Sequence, residues 1–304
     1  MKVRSVDAMP KSIDHAPPGG GAKPGTAAAG TQVGTAAGAE SSPTAPRYAL
    51  LAADEPPPVF EIGLQGRSNF VIVVDHAGRR IPRRLNDLGL PASELQRHIA
   101  WDIGALGVAR QVAAALDAPL VAQNYSRLVI DCNRDPKVPT SIPRLSESVE
   151  IPGNVNLSDA DMAVRRAEIF DPYHERIRAL LDERAAAGRP TILVAQHSMT
   201  DIYHGVRREM HAAVLYNRDR RFAGLVLDGL RREAGLTIAD NQPYFVSDET
   251  DFTIPRHGEA RGLPHVEIEI RQDLVGDDAG QAEWARRITR ALKDAEHTFL
   301  GATP

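Results

Sequence analysis

The sequence contains only one cysteine, Cys132, in 304 residues. A single thiol cannot form an intrachain disulfide, so a disulfide framework is excluded and a reducing compartment, the cytoplasm, is predicted. No apolar run reaches the roughly 18 residues that a membrane-spanning helix needs, so we expect no membrane segment. The formal net charge is -4 at pH 7, and this lack of basic excess argues against nucleic acid or an anionic membrane as the main partner.

Aromatic residues are also scarce, at 5% of the chain, and the first 58 residues have almost none. This stretch consists mainly of Ala, Gly, Pro, Thr and Ser. Such a composition buries too little apolar surface to offset the entropy that ordering costs. We therefore predict a disordered tail over residues 1–58 and a single folded α/β domain over residues 59–304, which is long enough for a sizeable core.

Short apolar runs alternate with segments of helical periodicity through the rest of the chain. The runs predict strands at residues 70–74, 118–122, 128–131, 190–196, 212–216 and 263–270. The periodic segments predict helices at residues 93–116, 159–187, 220–234 and 282–299, with a break near Pro172. This alternation predicts a three-layer α/β sandwich with a mixed, largely parallel sheet.

Two of the apolar strands end in a histidine, His76 after residues 70–74 and His197 after residues 190–196. Ligand sites in open α/β sheets lie beyond the carboxyl ends of the strands. Two neighbouring strands ending at that edge would bring both imidazoles within reach of one zinc ion. The alternative is that each histidine caps a turn through ordinary hydrogen bonds.

A catalytic zinc ion normally has three protein ligands and one open position. Asp75 is adjacent to His76 but points to the other face if the strand continues. Asp102 lies in an otherwise apolar helical pattern, and a buried aspartate needs a partner, so we favour Asp102 as the third ligand. Asp102 could instead accept a hydrogen bond from a ligand histidine or form a salt bridge within its helix.

Residues 266–271 alternate strictly between apolar and charged side chains, so Glu267, Glu269 and Arg271 share one face of a strand. On an exposed edge this face would be solvated. In an interior strand, a carboxylate facing the cleft is a general base that can activate water.

Two arginines, Arg127 and Arg134, flank the predicted strand at residues 128–131, and Asn133 follows it. Guanidinium groups bind carboxylates through two parallel hydrogen bonds, so this pair could hold an acidic substrate or an oxyanion. Structural pairing with Asp131 or Asp135 is the alternative.

Six segments occur in the order in which they occur in the N-formylglutamate amidohydrolase family. They are D-H-A-G-R-R-I-P (75–82), R-H-I-A-W-D-I-G-A (97–105), Y-S-R-L-V-I-D-C-N-R-D-P (125–136), A-Q-H-S-M (195–199), A-D-N-Q-P-Y (239–244) and R-G-L-P-H-V-E-I-E-I-R-Q-D-L (261–274). The chain therefore resembles that family over residues 71–274. Its D-H-A-G opening is similar to the branch of predicted members, whereas the deformylases of histidine breakdown open with P-H-[SA]-G.

The family is in turn distantly similar in fold to the zinc carboxypeptidases, with a mixed sheet between helices and a zinc-water site. The resemblance implies that His76 and His197 are zinc ligands and that Glu269 is the catalytic base. Carboxypeptidases place a glutamate three residues after the first histidine, where this chain has Arg79. Asp102 as the middle ligand is therefore our own inference.

The resemblance also implies that Asn133 and Arg134 bind a substrate carboxylate, with Arg127 as an oxyanion stabiliser. Arg127 and Arg271 are further candidates for binding a carboxylate of the substrate. The expected protein is a hydrolase with one Zn2+ per chain that cleaves N-formylglutamate or a related small acidic N-acyl amino acid. A carboxypeptidase-like metallohydrolase acting on small peptides, or a metal-free binding protein on the same fold, are the alternatives.

Overall fold

The computed structural model describes residues 48–301. Most of the predicted tail, residues 1–47, lies outside the described residues. Residues 48–58, which the sequence assigned to the tail, contact the domain: Leu50 is 1% exposed. The backbone N–H groups of Leu50 and Leu51 donate to the Glu168 carboxylate, each at 2.8 Å. Packing therefore extends to the N-terminal side of residue 59.

A seven-stranded sheet forms the centre of the domain. Its strands are β1 (Val59–Ile62), β2 (Phe70–Val74), β3 (Leu120–Gln123), β4 (Ile192–Met199), β5 (Ala212–Leu215), β6 (Ile238–Asp240) and β7 (His265–Arg271). They are ordered β1-β3-β2-β4-β7-β5-β6. The central strands β3, β2, β4 and β7 are parallel, β1 and β5 pair antiparallel to their neighbours, and β6 is parallel to β5. The predicted mixed, largely parallel sheet is confirmed.

Five α-helices surround the sheet within residues 48–301. They are α1 (Ala105–Leu116), α2 (Asp159–Arg165), α3 (Asp171–Ala186), α4 (Arg221–Arg231) and α5 (Asp278–Gly301). Two π-helical turns also occur, Arg166–Phe170 and Ile254–Gly258. Short 3₁₀ segments lie at Arg83–Gly89, Glu94–Gln96, Pro139–Ser141, Pro152–Asn154, Glu259–Arg261 and Gln272–Leu274. Two-residue strands pair Leu145–Ser146 with Val149–Glu150 and Ile202–Tyr203 with Val206–Arg207.

The helices lie on both faces of the sheet. Helices α1, α4 and α5 pack against the face that carries Ile72, Val194 and Ile268. Helices α2 and α3 pack against the opposite face, which carries Val73 and Ala195. Because β2 and β4 are covered on both sides, they carry continuous apolar runs, as the sequence indicated. The three-layer α/β sandwich is confirmed.

The predicted strand at residues 128–131 is not a strand. Leu128 and Val129 are fully buried, as a central strand would be. Their carbonyl oxygens accept from the side chains of Asn154, at 2.8 Å, and Arg165, at 3.0 Å. Side chains therefore replace the neighbouring strand as hydrogen-bond partners, and a buried apolar run can be an irregular loop.

The helix predicted over residues 93–116 begins only at Ala105. Gly104 precedes it with φ of 79°, and a Cβ atom there would lie 2.1 Å from the carbonyl oxygen of Val275. Only glycine fits both requirements, so the chain turns sharply at this point. Asp102 therefore lies in the turn before α1 and not inside a helix, as we had expected.

The predicted break near Pro172 is present. Helix α2 ends at Arg165, and a π-helical turn, Arg166–Phe170, precedes α3, in which Pro172 occupies the first turn. Proline has no backbone N–H, so it is tolerated there and not inside a continuous helix. Within residues 48–301, no helix is both long enough and apolar enough to cross a bilayer.

Candidate metal centre and active site

The carboxyl ends of β2 and β4 bring two histidines together. These strands are parallel neighbours, so His76, which follows β2, and His197, near the end of β4, reach the same edge of the sheet. Asp102 joins them because its backbone N–H donates to the carbonyl oxygen of His76 at 2.9 Å. One ligand atom from each of the three side chains lies within 4.8 Å of the others, and all three are buried.

Each imidazole is held at Nε2 by a carboxylate outside this group. Nε2 of His76 lies 2.7 Å from Oδ1 of Asp131, and Nε2 of His197 lies 3.1 Å from Oδ2 of Asp75. Both Nδ1 atoms are consequently directed towards Oδ2 of Asp102, at 3.5 Å from His76 and 2.9 Å from His197. Such outer carboxylates fix the tautomer and ring orientation of metal-binding histidines.

The charges around the two imidazoles favour their protonated forms. Burial by itself lowers the pKa of His197, but the charge of Glu267 and the hydrogen bond to Asp102 outweigh it, and the pKa lies well above its ordinary value. Burial likewise lowers the pKa of His76, but Asp131 and Asp102 raise it overall. Each imidazole therefore binds a proton more readily than an isolated histidine does, and a divalent cation would compete with that proton.

The donor set fits a zinc ion on three grounds. Two imidazole nitrogens and one carboxylate oxygen are the ligand types that catalytic zinc uses. Nδ1 of His76 is buried and has no hydrogen-bond partner among residues 48–301. Burial lowers the pKa values of both imidazoles, but the surrounding carboxylates raise them overall, and the same negative charges favour a divalent cation at this place.

Arg127 lies beside this group with part of its side chain in solvent. Its Nη2 binds Oδ2 of Asp131 at 2.6 Å, its Nη1 lies 3.6 Å from Oδ1 of Asp102, and 24% of the side chain is exposed. Burial lowers the pKa of Arg127, but the charges of Asp131, Asp102 and Glu269 raise it above its usual value. Arg127 is thus paired with Asp131 and also faces the cluster.

Glu269 lies on β7 directly beside His197. The two residues are register partners in the parallel pair of β7 with β4, so their side chains share one face of the sheet. Glu267 lies on this face as well, while Ile268 and Ile270 pack into the core under α1, α4 and α5. Both glutamates are buried, so the strand is interior and does not present a solvated edge.

The three remaining predicted residues lie in different environments. Arg134 is 5% exposed, and its guanidinium makes no hydrogen bond or ion pair within residues 48–301. The guanidinium of Arg271 instead binds both oxygens of Asp273 and the carbonyl oxygen of Arg208. The guanidinium of Arg271 is therefore already engaged by the protein.

The side chain of Asn133 holds a loop. Its amide nitrogen donates to Oδ1 of Asp251 at 3.0 Å, and its Oδ1 accepts from the backbone N–H groups of Phe252, at 2.9 Å, and Thr253, at 3.0 Å. Its own backbone N–H donates to Oδ1 of Asp131 at 2.8 Å. All polar atoms of this side chain are thus engaged with the protein.

Sequence reasoning missed the role of Asp75. We expected it to point to the other face from His76 if the strand continued, but β2 ends at Val74, and Asp75 lies in the turn that follows, where its carboxylate contacts His197. Tyr173, from α3, and Thr253 were also missed, and both donate to Oδ1 of Asp75. No local signal in the sequence marks these partners of Asp75.

The N-formylglutamate amidohydrolase family model matches residues 68–276. The chain belongs to this family. The matched stretch contains the whole His76, Asp102 and His197 group and the strand that carries Glu269. The chain is accordingly an amide hydrolase, whose substrate is a small amide.

Two solved structures resemble this amidohydrolase. The gene product Atu2144 from Agrobacterium tumefaciens is 37% identical with a TM-score of 0.80, covering 83% of this chain and 99% of the other. N-formylglutamate amidohydrolase from Ralstonia eutropha JMP134 is 21% identical with a TM-score of 0.58, covering 81% and 99%. The second likeness concerns the fold alone. No curated protein matches the chain significantly.

Proposed function

We propose that the protein is a zinc-dependent amidohydrolase that cleaves N-formylglutamate or a related N-acyl amino acid into formate, or another acid, and the free amino acid. The proposal rests on one observation above all. His76, Asp102 and His197 form a buried group in which both imidazoles are held by outer carboxylates. This is the arrangement that a catalytic zinc ion requires.

His76, Asp102 and His197 would hold the ion. When bound, zinc supplies a Lewis acid that polarises the acyl carbonyl group and makes a water molecule more acidic. A buried setting strengthens these electrostatic effects because little solvent screens them. Arg127, whose side chain is 24% exposed, lies next to this group.

Glu269 acts as the general base in this proposal. It takes a proton from the attacking water as the carbon–oxygen bond forms, and delivers it to the amide nitrogen as the carbon–nitrogen bond breaks. Its position beside His197 on the neighbouring strand supports this role. Arg127 donates to the oxyanion that develops on the carbonyl oxygen.

Arg134 binds a carboxylate of the substrate. A buried guanidinium without a counter-ion is costly, and a carboxylate that pairs with it would offset that cost. The charge of Arg134 already lowers the pKa of Asp131, although burial raises it and Arg127 is the larger opposing influence. This environment favours acidic N-acyl amino acids over neutral ones.

The test is to incubate zinc-loaded protein with N-formylglutamate and to measure formate and glutamate. N-formylglutamine, N-acetylglutamate and glutamate-containing dipeptides are the comparison substrates. We expect formate and glutamate in equal amounts, with slower turnover of N-formylglutamine. A His197→Ala preparation controls for contaminating activity. Turnover of the dipeptides without any formate release would favour the carboxypeptidase-like alternative, and a protein that binds no zinc would reject both enzymes.

A further inference from the structure

The carboxylate of Asp75 is held from both sides by buried groups. Its Oδ2 binds Nε2 of His197 at 3.1 Å. Its Oδ1 accepts from the hydroxyl groups of Tyr173, at 2.9 Å, and Thr253, at 2.6 Å. Each of these side chains is essentially inaccessible to solvent. No rotation of the carboxylate is possible without breaking at least one of these hydrogen bonds.

The two hydroxyl groups come from distant parts of the chain. Tyr173 lies in the first turns of α3, and Thr253 directly precedes the π-helical turn Ile254–Gly258. The position of Thr253 is itself set by Asn133, whose Oδ1 accepts its backbone N–H at 3.0 Å. The backbone N–H of Asn133 also donates to Asp131. Since the carboxylate of Asp131 holds His76, Asn133 contacts both Thr253 and the partner of His76.

These contacts close a ring around the metal group. Starting from Asp75, the ring passes through His197, Asp102, His76, Asp131, Asn133 and Thr253, and returns to Asp75. All of these contacts are hydrogen bonds except the longer approach of His76 to Asp102, at 3.5 Å. That approach joins two of the proposed metal ligands, His76 and Asp102.

We propose that Thr253 and Tyr173 are positioning residues of the metal centre, which hold the Asp75 carboxylate and thereby direct Nδ1 of His197 at the ion. This inference rests on the proposed zinc site. Without the hydroxyl groups, Oδ1 of Asp75 would be buried without a donor, and the carboxylate would turn to find one. His197 would then lose its fixed orientation, and the zinc affinity would fall.

The test is to measure the zinc affinity of metal-free protein by competition with a chromophoric chelator. We expect Thr253→Val and Tyr173→Phe each to lower the affinity about tenfold, and the double variant to lower it by up to about 100-fold. Thr253→Ser keeps the hydroxyl group and should bind zinc like the wild type. The absorption spectrum of the cobalt-substituted protein should change in the valine variant and not in the serine variant, because it reports ligand geometry.

Thr191→Val is the matched control. Thr191 is a buried threonine that precedes β4, and its Oγ1 accepts from Arg184 at 2.9 Å, remote from the cluster. This variant should lose stability and keep its zinc affinity. Unfolding by urea, followed for each metal-free variant, separates a general loss of stability from a loss of metal binding.

The possible failures can be told apart. A wild-type protein that binds no zinc would overturn the proposed function, and this inference with it. Wild-type affinity in both Thr253→Val and Tyr173→Phe would overturn this inference alone. If the double variant does not fold, the comparison of Thr253→Val with Thr253→Ser decides the question, because the two differ at the hydroxyl group.

Discussion

Oδ1 of Asp131 lies 2.7 Å from Nε2 of His76, while Oδ2 of the same carboxylate lies 2.6 Å from the guanidinium of Arg127. One aspartate thus orients a proposed metal ligand and a proposed oxyanion donor at the same time. Burial raises the pKa of Asp131, but Arg127 and His76 lower it well below its ordinary value, so the group is ionised at neutral pH. A change at this residue should affect both metal binding and turnover.

Asp131→Asn should lower the zinc affinity about 10- to 100-fold, because the neutral amide is a weaker acceptor for His76 and cannot balance the charge of Arg127. Chelator competition measures the zinc affinity. The effect on turnover is measured separately, at saturating zinc. Asp135→Asn is the control, since Asp135 lies outside the cluster and accepts from the backbone of Lys137. Equal zinc affinity in the two variants would contradict the role of Asp131.

His76→Ala and His197→Ala should each abolish stoichiometric zinc binding, because a site with two protein ligands holds the ion weakly. Asp102→Asn should also reduce the zinc content, measured by elemental analysis after zinc loading and dialysis. An unchanged zinc content in Asp102→Asn would show that Asp102 supports the histidines without binding the ion.

Glu269→Gln should retain zinc and lose at least about 100-fold in kcat, because the amide cannot accept the proton from water. Glu267→Gln is the matched variant, since both glutamates lie on the same face of β7. Turnover and zinc content are measured for both. A larger loss of kcat in Glu267→Gln than in Glu269→Gln would identify Glu267 as the base.

Arg134→Met should raise the KM for N-formylglutamate about tenfold or more while changing KM for a neutral N-formyl amino acid much less. Arg271→Met should instead lower the melting temperature, because Arg271 binds Asp273 and the backbone of Arg208. Steady-state kinetics and thermal unfolding of both variants separate these effects. A rise in KM only in the Arg271 variant would reverse the two assignments.

The buried pair His174 and His257 should make the metal-free protein sensitive to mild acid. Nδ1 of His174 lies 3.0 Å from Nε2 of His257. Burial lowers the pKa of His174 to about 4, and burial together with the charge of His174 lowers the pKa of His257 to about 3. Below pH ~6.5 the unfolded chain binds protons at these residues that the folded protein does not, so stability falls as the pH falls.

The comparison is made between pH ~6.5 and ~4.5. Burial also lowers the pKa values of His98 and His211, but these two residues contribute in the same way to the wild type and to the variant. The raised pKa values of His76 and His197 contribute stability that is complete below pH ~6.5 and is lost only at higher pH. The lowered pKa values of the buried aspartates contribute stability that is lost only at still lower pH. His257→Gln keeps a donor towards His174 but does not titrate. Urea unfolding across this window should show a shallower pH dependence in this variant, and an unchanged slope would contradict the prediction.

Much of the architecture follows from local patterns. Continuous apolar runs predicted β2 and β4, because strands covered by helices on both faces need no polar side. Strict alternation predicted which side chains of β7 share a face, since successive residues in a strand point to opposite sides. Long periodic segments predicted α4 and α5. The strand predicted at residues 128–131 was wrong, because side chains of distant residues bind the carbonyl groups of that run.

The sequence by itself determined the candidates: two histidines at strand ends, a glutamate on an interior strand, and an aspartate in an apolar setting. Only the tertiary structure decided their partners. The turn at Gly104 brings Asp102 to His76, the turn after β2 brings Asp75 to His197, and the loop after residue 126 brings Asp131 to the outer side of His76. Such contacts join residues far apart in the chain, and local propensity has no information about them because it depends only on neighbouring residues.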